Sequence, residues 1–231
     1  MPRSGTTTDQ FLRVTLADGA SVSALLLAPP AASAAYVFAH GAGAGMQHSF
    51  MTAMARALAA NGIATLRYQF PYMENAAKRP DPPARAHAAV RAAVAEAARR
   101  LPGLPLLAGG KSFGGRMTSQ AQAAAPLANV RGLVFVGFPL HAPKQPSSTR
   151  AEHLAAVASP MLFLQGTRDE LADLALLRAV VGGLGTRATL SIVDDADHSF
   201  HVRKSSGRTD AQVIEDMART IAGWSAALPE R

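Results

Sequence analysis

Cysteine is absent from this chain of 231 residues, and long apolar segments are absent as well. Without cysteine, the chain has no disulfide bonds, no thiolate metal ligands and no cysteine nucleophile. No run of about 18 apolar residues is present, as a membrane-spanning helix would need. The first ten residues also lack the apolar segment of a secretory leader. These absences predict a cytoplasmic protein that has no membrane partner.

Lysine is scarce: the 23 basic residues include only Lys78, Lys111, Lys144 and Lys204, and the others are arginines. The formal net charge is +7. The basic residues are scattered along the chain and form only short pairs such as Arg99-Arg100. A surface that binds nucleic acid should gather its positive charge on one face. We therefore interpret the charge as a solvated surface and predict no nucleic-acid partner.

The length and a hydrophobic content of 48% indicate one well-packed domain that spans residues 1–231. We expect residues 1–10 to be a flexible N-terminus. Two alternating segments, 11–16 and 21–27, flank an Asp18-Gly19 turn and predict an antiparallel hairpin.

From residue 34 onward, predicted strands alternate with predicted helices. The strands are 34–39, 63–67, 104–108, 130–136, 161–165 and 188–193, and the helices are 46–60, 84–101, 113–125, 151–158, 171–181 and 209–228. This alternation predicts an α/β fold with a mainly parallel central sheet and helices on both faces. The connection 137–150 is too short for a large lid, so we expect a minimal lid or none.

The stretch Gly110-Lys-Ser-Phe-Gly114 lies between a predicted strand and a predicted helix and fits the pattern G-x-S-x-G. In such a sharp turn, glycines avoid collisions with the neighbouring strand and helix, and the serine is presented as a nucleophile. An ordinary capped helix start is the simpler alternative. A phosphate-binding loop is a further alternative, but Pro105 occupies the position where its first glycine should be.

Ligands of open α/β sheets bind beyond the carboxyl ends of the strands, where three reactive side chains follow three predicted strands. Ser112, Asp169 and His198 occur in the order expected of a nucleophile, an acid and a base in a hydrolase of this type. His198 would accept the proton of Ser112, and Asp169 would orient the imidazole. His201 is the alternative base, and Glu170 is the alternative acid.

A tetrahedral oxyanion requires two hydrogen-bond donors. We predict that one is the backbone amide of Phe113. The other is expected from the stretch formed by Gly41, Ala42 and Gly43, where the small residues allow the backbone to face a substrate.

Further residues follow strands or lie in the loops after them, and we predict that they line the substrate site. They are His40, Lys111, Arg67, Tyr72 and His141. Each has an alternative role: His40 could hold the glycine-rich loop, Arg67 and Lys111 could be solvated or salt-bridged, and the loops that carry Tyr72 and His141 could brace the serine turn.

The motifs resemble those of a small α/β-hydrolase group that includes testis-expressed protein 30 and a histone-acetyltransferase-complex subunit. The matching stretches begin at His40, Arg67, Gly109, Gly137, Glu152, Gln165 and Ala196. The group is also similar to dienelactone hydrolases, although the nucleophile here is a serine. The resemblance implies the α/β-hydrolase fold and the catalytic residues above, but it does not identify a substrate.

Together these observations predict a serine hydrolase that acts on an ester, a thioester or a similar small acyl compound. We expect no cofactor, no metal and no macromolecular partner beyond a second copy in a homodimer, with a monomer as the other possibility. The alternative hypothesis is a binding or scaffold protein that keeps a hydrolase fold without catalysis.

Overall fold

A computed structural model describes residues 8–229 and contains one eight-stranded sheet. Its strands are β1 (Gln10–Thr15), β2 (Ser21–Leu27), β3 (Ala34–Ala39), β4 (Ile63–Tyr68), β5 (Leu106–Lys111), β6 (Val130–Val136), β7 (Met161–Gly166) and β8 (Ala188–Val193). The strand order is β1-β2-β4-β3-β5-β6-β7-β8. β2 pairs antiparallel with β1 and β4, and all later pairings are parallel.

Among residues 8–229, five α-helices lie between strands, and a sixth follows β8. They are α1 (Ser49–Ala60), α2 (Pro71–Glu74), α3 (Pro83–Arg100), α4 (Phe113–Ala124), α5 (Leu174–Leu184) and α6 (Asp210–Ala226). Buried residues of α1 and α6 pack together on one face of the sheet, and those of α3, α4 and α5 pack on the other. The sheet is therefore covered on both sides, which explains why β3, β4 and β7 are buried along their whole length.

The predicted α/β-hydrolase fold is confirmed, including the N-terminal hairpin and the mainly parallel sheet. Between β6 and β7, the described chain contains a short 3₁₀ helix, Thr149–Ala156, and no separate lid domain. None of the helices among residues 8–229 is both long enough and apolar enough to cross a membrane.

β5 is longer than predicted, because it continues through Gly109 and Gly110 to Lys111. A Cβ atom at Gly109 would lie 1.9 Å from the carbonyl oxygen of Val134, and one at Gly110 would lie 2.4 Å from that of Ala39. The glycines therefore do not end the strand. The absence of side chains at Gly109 and Gly110 allows β5 to pass close to Ala39 of β3 and Val134 of β6.

Other elements also differ from the prediction. The predicted helix 151–158 is the 3₁₀ helix Thr149–Ala156, and the predicted helix 171–181 lies at Leu174–Leu184 as α5. Helix α1 begins at Ser49 rather than at residue 46, since the His48 side chain accepts a hydrogen bond from the Phe50 amide and caps the helix. Helix α2 lies in the segment predicted to be a loop, and Pro71 starts it. Most of the N-terminus predicted to be flexible, residues 1–7, lies outside the described residues, and Gln10 already belongs to β1.

The chain places β4 on one side of β3 and then β5 on the other side. The loops that leave the carboxyl ends of β3 and β5 therefore run in opposite directions and open a crevice between them. This crevice contains Ser112.

Candidate active site

Ser112 occupies a strained turn between β5 and α4. Its backbone has φ 50° and ψ −116°, a conformation that side-chain-bearing residues rarely adopt. The turn is tight because a Cβ atom at Gly114 would lie 2.6 Å from the carbonyl oxygens of both Ala39 and His40. The Ser112 hydroxyl makes no hydrogen bond that caps α4 and is therefore directed to another partner.

That partner is His198, and a chain of hydrogen bonds joins the three predicted side chains. The Ser112 Oγ lies 2.9 Å from His198 Nε2, and His198 Nδ1 lies 2.7 Å from Asp169 Oδ2. The Asp169 side chain is buried, whereas that of His198 is 27% exposed. The base thus faces the crevice, and the acid is enclosed behind it.

Asp169 is held by two further donors. The Leu171 amide donates to Oδ1 at 2.8 Å, and Gln165 Nε2 donates to Oδ2 at 2.6 Å. The Gln165 Oε1 atom in turn accepts from the Phe138 amide at 3.0 Å. Gln165 is fully buried at the end of β7 and was not among the predicted site residues. Its signal in the sequence is a single amide that ends the apolar run of β7.

The two alternatives considered for the base and the acid lie away from this chain of hydrogen bonds. His201 Nδ1 lies 2.9 Å from Asp210 Oδ2 in an exposed pair. Glu170 is exposed. Asp197 accepts from the Ser199 and His201 amides, at 2.8 and 3.0 Å, and shapes the loop that presents His198.

The predicted oxyanion donors differ in availability. The Gly43 amide already donates to the Tyr72 hydroxyl at 2.9 Å. Within residues 8–229, the amides of Gly41, Ala42 and Phe113 have no protein hydrogen-bond partner. Phe113 is the first residue of α4, where amides lack a partner inside the helix. Gly41 packs against Lys111 and Ser112, at 3.6 to 3.8 Å from the position of a Cβ atom.

Two cavities meet at Ser112. The first, of about 340 Å³, has mainly apolar walls that include Phe50, Met51 and Leu171, and His198 lies at its edge. The second, of about 400 Å³, lies on the side of Phe113 and has charged groups in its walls. Phe50, Met51 and Leu171 were not predicted, because only the folded chain brings α1 and the loop after β7 to the serine.

Lys111 lines the first cavity together with Ser112 and His198, as predicted. Its Nζ atom lies 5.5 Å from the centre of the Phe200 ring. Burial lowers the pKa of Lys111 to about 8, and the negative charges of Asp169 and Asp197 oppose this shift. No group of three or more histidine, aspartate or glutamate side chains among residues 8–229 is placed to hold a metal ion.

His40 is fully buried and lines neither cavity, so the predicted substrate contact must be corrected. Its Nδ1 atom lies 2.7 Å from the Gly41 carbonyl oxygen, and its Nε2 atom accepts from the Phe70 amide at 3.1 Å. His40 therefore joins the glycine-rich loop to the loop after β4, which was the alternative role. Burial lowers the pKa of His40 to about 4.

Three further predicted substrate contacts need the same correction. Tyr72 is buried and holds the Gly43 amide. His141 is buried, with Nδ1 2.8 Å from the Ala142 carbonyl oxygen, and its Nε2 atom accepts from the Asp173 amide at 2.8 Å.

Arg67 is 1% exposed, so its guanidinium does not reach a substrate. It contacts the Met46 carbonyl oxygen and the Thr52 hydroxyl, both at 3.2 Å, and it pairs with Asp9. These contacts fit the alternative role considered for Arg67, that of a salt-bridged residue.

The crevice between diverging loops, with a serine on a tight strand-to-helix turn, is typical of α/β hydrolases. The profile of the family described as "Alpha/beta hydrolase domain" matches residues 32–226. The chain therefore belongs to this family of α/β hydrolases.

Solved structures share the fold at low sequence identity. A lidless α/β serine hydrolase from Xanthomonas campestris is 21% identical, with a TM-score of 0.73 over 100% of both chains. A dienelactone hydrolase from Anabaena variabilis is 18% identical, with a TM-score of 0.78 over 98% of this chain and 100% of that one. Est1E from Butyrivibrio proteoclasticus, solved with bound ferulic acid, is 15% identical, with a TM-score of 0.71 over 94% of this chain and 99% of that one.

Proposed function

We propose that the protein is a serine hydrolase that cleaves an ester, a thioester or a similar small acyl compound. The observation that carries the proposal is the continuous hydrogen-bond chain from Ser112 through His198 to Asp169, with the serine on a strained turn. A serine hydroxyl is a weak nucleophile until an adjacent base accepts its proton. The base must itself be held in the correct orientation to accept this proton, and Asp169 would hold His198 in that way.

In the proposed reaction, Ser112 Oγ attacks the acyl carbon while its proton passes to His198 Nε2. The Phe113 and Ala42 amides donate to the oxyanion that forms on the carbonyl oxygen. When the intermediate collapses, the bond to the alcohol or thiol breaks, and His198 donates its proton to this leaving group. Water then attacks the acyl-enzyme, with His198 as the base again, and releases the acid and Ser112. This sequence uses no cofactor.

Small substrates fit this proposal best. The apolar cavity of about 340 Å³ beside Ser112 can receive a short acyl or alcohol group, and the described chain has no lid domain to enclose a longer one. The resemblance of the motifs to the group of testis-expressed protein 30 leaves the substrate open. The dienelactone hydrolase and the ferulic acid-bound Est1E, which share the fold, motivate testing lactones and aryl esters.

Labelling by a fluorophosphonate probe tests the proposal without knowledge of the substrate. The probe should react with the parent protein and fail to react with Ser112→Ala, because only an activated serine attacks it. Circular dichroism of both proteins confirms that they are folded. A folded parent that stays unlabelled would contradict the proposal and favour the binding or scaffold protein. The cytoplasmic location, the absence of nucleic-acid and membrane partners, and the choice between monomer and homodimer stay predictions.

A further inference from the structure

The second cavity beside Ser112 contains two arginines that come from different elements. Arg116 lies one helical turn after Ser112 in α4, and its amide donates to the Ser112 carbonyl oxygen at 3.1 Å. Arg150 belongs to the 3₁₀ helix Thr149–Ala156. The fold therefore brings two positive charges to one wall of the crevice that holds the serine.

Neither arginine has a side-chain partner in the part of the chain that the structure describes. Among residues 8–229, Arg116 and Arg150 form no ion pair with a carboxylate and no side-chain hydrogen bond, although both are half-buried. Other arginines without such partners, Arg56, Arg79 and Arg178, are exposed to solvent. Solvent can satisfy an exposed guanidinium, but it satisfies a half-buried one less well.

The surroundings do not neutralise this charge. Burial lowers the pKa of Arg116, and the positive charge of Arg150 lowers it further. Burial and the charge of Arg116 lower the pKa of the neighbouring His153 to about 4, so this histidine is neutral at pH 7. Two like charges held together at a half-buried site cost free energy that an anion would offset.

Asp81 is the carboxylate in the wall of this cavity, and it is already engaged. It accepts from the Tyr72 amide at 2.9 Å and lies 3.7 Å from Arg85. Because Arg85 pairs with Asp81, this carboxylate does not neutralise the positive charges of Arg116 and Arg150. A substrate anion would offset them, and two planar guanidinium groups suit the two oxygens of a carboxylate.

We propose that Arg116 and Arg150 bind a carboxylate group of the substrate. The substrate is then an ester or thioester in which one half ends in a carboxylate, while the uncharged half enters the apolar cavity. The scissile carbonyl lies between them at Ser112. This inference rests on the proposed hydrolase activity for its substrate, but the binding of the carboxylate can be measured separately.

Two matched substrate pairs test the proposal and distinguish the acyl half from the alcohol half. In the first pair, para-nitrophenyl hexanoate is compared with the mono-para-nitrophenyl ester of adipic acid, which adds a terminal carboxylate to the acyl chain. In the second, 3-(4-acetoxyphenyl)propanamide is compared with 3-(4-acetoxyphenyl)propanoate, which carries a free carboxylate on the alcohol half. We expect kcat/KM to favour the carboxylate in one pair by about tenfold or more.

The double variant Arg116→Gln, Arg150→Gln should reduce that preference to about onefold. The change should fall mainly on KM, because the arginines contact the substrate away from its reacting carbon. Arg56→Gln is the matched control, since Arg56 is an exposed arginine outside both cavities, and it should keep the preference. If the double variant does not fold, Arg150→Gln alone should lower the preference in the same direction.

Calorimetric titration of Ser112→Ala with adipate and with adipamide separates this inference from the hydrolase proposal. We expect adipate to bind, adipamide not to bind, and the double arginine variant in the same background to lose adipate binding. If neutral esters are hydrolysed without a carboxylate preference in either pair and adipate does not bind, the inference is overturned while the hydrolase proposal stands. Adipate binding that requires the arginines, in a protein that hydrolyses no ester, would support the carboxylate site and contradict the hydrolase proposal.

Discussion

His198 and His40 lie at the carboxyl edge of the same sheet and make the same pattern of hydrogen bonds. In each ring, Nδ1 bonds to an oxygen and Nε2 faces a hydrogen donor. In His40, Nε2 accepts from an amide, so this ring is a neutral imidazole with the proton on Nδ1. The partners differ: His198 lies between a carboxylate and a serine hydroxyl, whereas His40 lies between a backbone carbonyl and a backbone amide.

Because their partners differ, the two histidines can have different roles, one in proton transfer and one in holding the backbone. An amide N–H cannot be deprotonated by an imidazole at neutral pH, so His40 can only hold the two loops together. In the proposed reaction, the Ser112 hydroxyl gives up its proton during attack, and Asp169 would stabilise the imidazolium that results. Burial reinforces the contrast, since His40 is fully enclosed and the His198 side chain is 27% exposed.

The largest effect should come from Asp169→Asn. Asp169 accepts through both oxygens, from His198 and Gln165 at Oδ2 and from the Leu171 amide at Oδ1. Asparagine has only one acceptor oxygen, so its NH2 group must face one of these donors. His198 would lose its orientation, so we expect kcat to fall by about 10,000-fold. Steady-state hydrolysis of a short aryl ester measures this change, and thermal unfolding checks that the protein is folded. A loss of less than tenfold would mean that Asp169 does not orient the base.

The next effect should come from His40→Gln and should appear first in stability. The loss of two buried hydrogen bonds should lower the free energy of unfolding by about 2 kcal/mol at pH 7. His40 also makes stability depend on pH. Its pKa is about 4 when folded and near 6.5 when unfolded, so the unfolded chain binds more protons between these values. Stability due to His40 is complete above pH 6.5 and is lost as the pH falls toward 4, by about 3 kcal/mol.

Urea unfolding at several pH values measures both parts of this prediction. His40→Gln should show a shallower fall in stability between pH 6.5 and 4 than the parent. His198→Gln is the matched control, since it should abolish activity and keep the slope that His40 provides. Equal slopes in the parent and His40→Gln would show that His40 is not a buried neutral group.

The smallest effect should come from Tyr72→Phe, which frees the Gly43 amide. We expect a loss of about 1 kcal/mol in stability for one hydrogen bond and a decrease of a few-fold in kcat, because the loop that carries Ala42 loses a contact. The same assays measure both quantities. An increase in kcat would instead identify Gly43 as an oxyanion donor that Tyr72 restrains.

The sequence predicts the fold and the three reactive side chains because both depend on local patterns. Buried strands appear as apolar runs, and the residues that follow them must meet at one edge of a parallel sheet. Ser112 and His198 could therefore be placed together without knowledge of side-chain packing.

The roles of His40, Tyr72 and Arg67 could not be predicted from local sequence patterns. His40 and Tyr72 follow strands and Arg67 ends a predicted strand, positions that substrate-binding residues also occupy. Only burial and distant partners show that each holds the backbone or an ion pair. Gln165 was missed for the opposite reason, because a polar residue inside a buried strand end gives no sign of its partner. Arg116 and Arg150 are 34 residues apart in the chain, and only the folded loop brings both to one cavity.

The most direct measurement is mass spectrometry of the protein quenched in acid during turnover of para-nitrophenyl acetate. The account predicts one acetyl group on the peptide that contains Ser112 and none on the same peptide of Ser112→Ala. Acetyl groups spread over surface lysines in both proteins, with Ser112 unmodified, would contradict it.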